Sequence, residues 1–204
     1  MDIEKGVEMT NDEVDTFAKH VFLKDVLARQ DKETENQNSA VLCFDLENVL
    51  TLPRSNVSNF FYRRKLAVYN LTVHSSLDKS MYCCIWNEAE GGRCGNSIAS
   101  ALIKVLVQFV KEHPGISEII LWSDSCVAQN RNSLMSFALI SFMKCYPHIK
   151  VLTQKYSEAG HSLVQEVDSA HSTIERHLAR SSVEMVTKLT KRRDDLTRPG
   201  FIHN

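Results

Sequence analysis

The chain has 204 residues, 43% of them hydrophobic and 24% charged, with a formal net charge of −1. That size and mix suit one folded domain with a sizeable core, and the near-zero charge excludes an overall positive field that would draw in nucleic acid. No apolar run approaches the ~18 residues of a membrane-spanning helix and no apolar leader core opens the sequence, so the expectation is a soluble, non-secreted protein of the nucleus or cytoplasm, with no membrane partner.

Residues Thr10 to about Lys32 predict a helix. Thr10 and Glu13 form a capping box, and Val14, Phe17, Ala18, Val21, Phe22 and Val26 recur on one face. A polar loop, Glu33 to Ser39, leads to the apolar run Ala40-Val41-Leu42-Cys43-Phe44, which ends on Asp45. Pro53 marks a break, because it cannot donate to a ladder. Leu66 to His74 alternates with period two and Met81 to Trp86 follows a polar turn, so the pair predicts a hairpin. A loop with Gly91, Gly92 and Gly95 precedes an apolar helix from Ser97 to Glu112, which Pro114-Gly115 ends. Ile119 to Ser123 predicts a strand buried on both faces, with Asp124 at its carboxyl end. Asn132 or Ser133 caps a further helix, with Leu134, Phe137, Ala138, Ile140, Ser141 and Met143 expected to be largely buried. Ile149 to Tyr156 predicts the fifth strand. Gly160-His161-Ser162 turns the chain into a helix over about Leu163 to Arg180, and Val183 to Leu189 extend or follow it.

This order divides the chain into a helical extension over 1–39, an α/β core over 40–190 and a flexible tail over 191–204. Three early strands, a crossover helix and then alternating strands and helices describe an α/β, ribonuclease-H-like fold, with a central mixed five-stranded sheet flanked by helices. The six cysteines (Cys43, Cys83, Cys84, Cys94, Cys126, Cys145) show neither disulfide-framework nor CxxC spacing. They predict free thiols in a reducing compartment and no structural zinc.

Ligand sites in open α/β sheets gather beyond the carboxyl ends of strands, where both Asp45 and Asp124 fall. The last helix offers Asp168, His171 and Glu175 at i, i+3 and i+7, all on one face. Such charges beside an apolar anchor are costly unless paired or bound to metal. The competing readings are a strand-end Asp that caps a helix and a solvated Asp–His face. Carboxylates from two strand ends and a helix suit Mg2+ or Mn2+. Two such ions activate the attacking oxygen and stabilise the leaving one in phosphoryl transfer.

Several blocks carry a family resemblance. They are Phe44-Asp45-Leu46 with Leu50 and Pro53; Phe61-Tyr62-Arg63-Arg64-Lys65-Leu66 with Tyr69-Asn70; Trp86-Asn87-Glu88; Arg93 with Ile98 to Ser100; Trp122-Ser123-Asp124-Ser125-Cys126 with Gln129-Asn130-Arg131-Asn132; and Gly160-His161-Ser162 with Asp168, His171, Ile174 and Glu175. Over about residues 15 to 180 the chain resembles an uncharacterised domain family of transposon-derived animal proteins, especially of insects, that looks like a ribonuclease-H-like transposase or nuclease core. The resemblance implies a DDE/D-type triad at Asp45, Asp124 and Asp168, with Glu175 as reserve third acid, Mg2+ or Mn2+ as cofactor and no small-molecule cofactor. It departs from the family at Val127-Ala128, where relatives tend to have glycines, and at Ser97, where they tend to have Glu.

Other residues admit two roles each. Arg63, Arg64 and Lys65, beside Phe60, Phe61 and Tyr62, either grip a nucleic-acid strand by charge and stacking or form a solvated rim. Gln129, Asn130, Arg131 and Asn132 contact phosphates, position the acids or cap a helix. His161 is a general acid/base, an extra metal ligand or a turn histidine. His171 orients Asp168 or covers the core edge. The expected function is metal-dependent strand cleavage or transfer on DNA, with a homo-oligomer allowed. The alternatives are a catalytically silent, domesticated module that binds nucleic acid or protein, and a 3′–5′ exonuclease of related fold.

Overall fold

The computed structural model describes residues 26–33, 38–52, 64–157 and 165–180. The expectations for Thr10 to Asp25, Pro53, residues 56–63, the Gly160-His161-Ser162 turn, 183–189 and the tail lie outside these residues. In chain order the elements are helix α1 (26–33), β1 (Ser39–Leu46), β2 (Leu50–Leu52), β3 (Leu66–Ser75), β4 (Met81–Asn87), α2 (Gly95–Glu112), β5 (Glu118–Ser123), α3 (Ser133–Cys145), β6 (Val151–Tyr156) and α4 (Gln165–Arg180).

The fold is α/β, with a mixed sheet of six strands among the described residues rather than the five expected. The extra strand is β2. The chain leaves the β3 edge at Glu47–Val49 and rejoins it, so β1 pairs with Leu71–Ser75 and β2 with Leu66–Val68. Three residues are too few to register as an alternating pattern in the sequence. β4 pairs antiparallel with the other edge of β3, which is the expected hairpin. β1 also pairs parallel with β5, and β5 parallel with β6, giving the path β4-β3-β1-β5-β6. The parallel pairs require crossovers, and α2 and α3 supply them.

Period-two alternation sorts the central strands into two faces. Leu42 and Phe44 of β1, Leu71 and Val73 of β3, and Ile119 and Leu121 of β5 pack with Leu102, Leu106 and Phe109 of α2 and Met135 and Phe142 of α3 in the main core. Burying each such side chain stabilises the fold by about 1.5–3 kcal/mol. The opposite face holds Val41, Cys43 and Trp122 under Ala28 of α1 and Val167 of α4. Asp31 fastens α1 there. Its carboxylate accepts from Trp122 Nε1 at 2.9 Å and from Lys155 Nζ at 2.7 Å.

α3 differs from expectation in its rotation. Met135, Leu139 and Phe142 are buried, whereas Leu134, Phe137, Ile140 and Ser141 are exposed and Ala138 and Met143 are intermediate. Lys144 is the helix's one charged residue, so its sequence is apolar or small nearly all round. Periodicity then carries little information about which stripe meets the sheet.

Candidate metal centre

β1 and β5 bring the first two acids together. Their parallel register aligns Cys43 with Trp122, and Asp45 and Asp124 stand two residues further along, on the same face by alternation. α4 crosses this face over β1 and β3. Val167, fully buried against Trp122's cluster, fixes the rotation of the helix. Asp168, His171 and Glu175 follow on the stripe turned toward β1 and, with Asp45, Leu46, Glu47, Asn48 and Ser172, line a cleft of about 240 Å³.

One ligand atom from each of Asp45, Asp168 and His171 lies within 4.8 Å of the other two. Asp124 stands outside that group but close enough that its charge acts on Asp45. The Asp45 carboxyl is pushed up from 3.8 to about 6. Burial is the largest cause, followed by repulsion from Asp124. The backbone N–H of Leu46, which donates to Asp45 Oδ1 at 2.8 Å, opposes this. Asp168 adds further repulsion, and the guanidinium of Arg93 offsets part of it. Burial holds the His171 imidazole below its ordinary value, while Asp168 and Glu175 pull it the other way. Asp45, Asp168 and His171 each offer an atom that could hold a metal ion, and a bound cation would relieve the repulsion that helps to raise Asp45.

Asp124 is held by its own loop. Asn130, 2% exposed, donates from Nδ2 to Asp124 Oδ1, and the Cys126 backbone N–H donates to the same oxygen at 3.3 Å. Of the roles expected for Asn130, this geometry matches the positioning of an acid: its amide is buried and donates to Asp124. The capping role falls to Asn132, whose side chain accepts from the Met135 N–H at 3.0 Å and donates to the carbonyls of Val127 and Gln129. Val127 and Ala128 carry no backbone strain, because Lys79 is the one non-glycine with positive φ among the described residues.

The remaining expected residues are placed as follows. Glu175 lines the cleft without joining the three-residue ligand group. Arg64 and Lys65 are exposed before β3, and Arg64 reaches Glu88 at 3.4 Å. Arg131 is exposed, with its guanidinium 5.7 Å from the centre of the Tyr156 ring, and Gln129 is half-buried. His161 and Arg63 lie outside the described residues.

Glu47 was not anticipated. It is 2% exposed, lines the cleft and accepts from Asn70 Nδ2 at 2.8 Å, and that same nitrogen donates to Thr72 at 3.1 Å. Its place two residues after Asp45 was the available signal, since alternation carries that face onward. His171 was anticipated on a helix face that had to be paired or metal-bound, and individually as an orienting partner or core cover; it stands in the ligand group itself.

No family model, no curated protein and no solved structure matches the chain.

Proposed function

We propose that this domain is a divalent-metal-dependent phosphoryl-transfer enzyme that cleaves or joins DNA strands on a ribonuclease-H-like scaffold of transposase descent. The observation that carries the reading is the meeting of Asp45 and Asp168, from a strand and a distant helix, in one ligand group with Asp124 alongside. The sheet order supports it: an antiparallel hairpin beside β1 followed by two parallel strands is the arrangement expected of such a scaffold. The motif resemblance from Phe44 to Glu175 points the same way.

Asp45, Asp168 and Asp124 would hold Mg2+ or Mn2+, which would supply charge neutralisation and an activated oxygen nucleophile. The chain's own residues do the rest. Asp45 feels the charge of both other acids. Asn130 keeps Asp124 in one orientation. Val167 anchors the helix that brings Asp168, and Arg93 tempers the negative field at Asp45. Exposed Arg64, Lys65 and Arg131 are among the described cations available to the phosphate backbone.

The test is Mg2+- or Mn2+-dependent nicking of a labelled duplex by wild type and Asp124→Asn. Nicking by the wild type that the substitution abolishes supports the reading, and equal behaviour of the two proteins overturns it. The second reading, a silent binding module, draws on the net charge of −1 and on the exposed Leu134, Phe137 and Ile140 of α3, a surface suited to protein contact.

A further inference from the structure

His171 follows Asp168 by one helical turn, so the two side chains project from the same stripe of α4. One of its ring nitrogens lies within 4.8 Å of ligand oxygens of both Asp45 and Asp168. If the histidine only oriented Asp168, a direct hydrogen bond would join them. Among the described residues none does, and Nε2 is buried without a hydrogen-bond partner. Two carboxylates and an imidazole thus come within 4.8 Å of one another, with no hydrogen bond joining the imidazole to either acid among the described residues. A shared ion about 2.1 Å from each donor would draw that spacing in slightly and complete all three.

The chemistry of the third donor bears on which ion is held. Mg2+ seeks oxygen ligands and near-ideal octahedral geometry. An imidazole nitrogen suits first-row transition ions, whereas carboxylates and water suit Mg2+, Ca2+ and Mn2+. Mn2+ accommodates both halves of this set. We propose that His171 is a direct ligand of the metal centre and that the centre therefore selects Mn2+ over Mg2+. This inference rests on the metal-centre reading above and names its ion.

The experiment is Mn2+ titration of the full chain followed by pulsed electron paramagnetic resonance of the bound ion, with Mg2+ in competition. A 14N coupling on bound Mn2+, absent in His171→Ala and His171→Asp, is the expected result. His171→Asp, which restores an all-oxygen set, should lower the preference for Mn2+ over Mg2+ by about tenfold or more, since loss of even an outer-shell partner costs that much affinity. Mn2+ bound with no 14N coupling, and lost in Asp45→Asn, overturns the histidine ligand while leaving the metal centre standing. If neither ion binds, by resonance or by a shift in Tm, the metal-centre reading itself fails. The wild-type spectrum decides the first question even if a variant does not fold.

Discussion

Asp45 concentrates the electrostatic cost of the site. Its carboxyl holds its proton to about pH 6 in the fold against 3.8 ordinarily. A group whose pKa is raised by folding adds stability below its unfolded value, and that stability is lost as pH climbs to the folded one. The metal-free protein should therefore lose stability between about pH 4 and 6. The loss is at most about 3 kcal/mol at 1.36 kcal/mol per pH unit, reduced by the residue's partial contact with water. Asp45→Asn should raise Tm at pH 7.5 and leave it nearly unchanged at pH 4, and an equal effect at both values in thermal melts would contradict this account. The same variant should lose the rise in Tm that divalent ions give the wild type. Asn130 has the complementary role, holding Asp124 rather than burdening it. Asn130→Ala should slow nicking about 10–100-fold, the usual cost of removing a partner that orients a ligand, with far-ultraviolet circular dichroism unchanged. The three aspartates were legible in the sequence because two ended apolar runs and the third shared a helical stripe with His171 and Glu175. Asn130's role was not fixed, because an amide in a turn serves a cap, a phosphate or a neighbouring side chain equally well.

At the scale of elements, the 124–132 loop and the start of α2 are built against each other. A Cβ on Gly95 would stand 3.0 Å from Asn132 Nδ2 and 3.2 Å from the Ala128 carbonyl oxygen. Alanine in a helix ordinarily gains about 1 kcal/mol over glycine. Here that gain is opposed by displacing Asn132, whose cap on α3 is itself worth about 1 kcal/mol. Gly95→Ala should therefore fail to raise Tm. It should also lower metal-dependent nicking, because the loop it pushes is the one that holds Asp124; a variant that is both more stable and fully active would refute the coupling. The glycine was visible in the sequence only as part of a loop, since close approach between distant segments leaves no local pattern. α2 and the β3–β4 hairpin were readable because one period dominates each of them. α3 was readable as a helix but not in its rotation, and β2 was too short to see.

For the whole molecule, the order of elements carried the architecture: the hairpin, the parallel pairs and the crossovers all followed from chain sequence and handedness rules. What the sequence left open was the division of labour between the two faces of the sheet. One face is an apolar core against α2 and α3. The other carries Asp45, Asn70, Thr72 and His74 in register across β1 and β3, all but Asp45 fully buried, under α1 and α4. That division is a record that natural variation can read. A lineage that abandoned strand chemistry but kept the fold would still need its apolar face, while Asp45, Asn130, Asp168 and His171 would be released to drift. Substitution rates among close relatives, compared between the two faces, should be equally low if selection still maintains catalysis. They should diverge, with the acidic face changing faster, if the domain survives as a binding module.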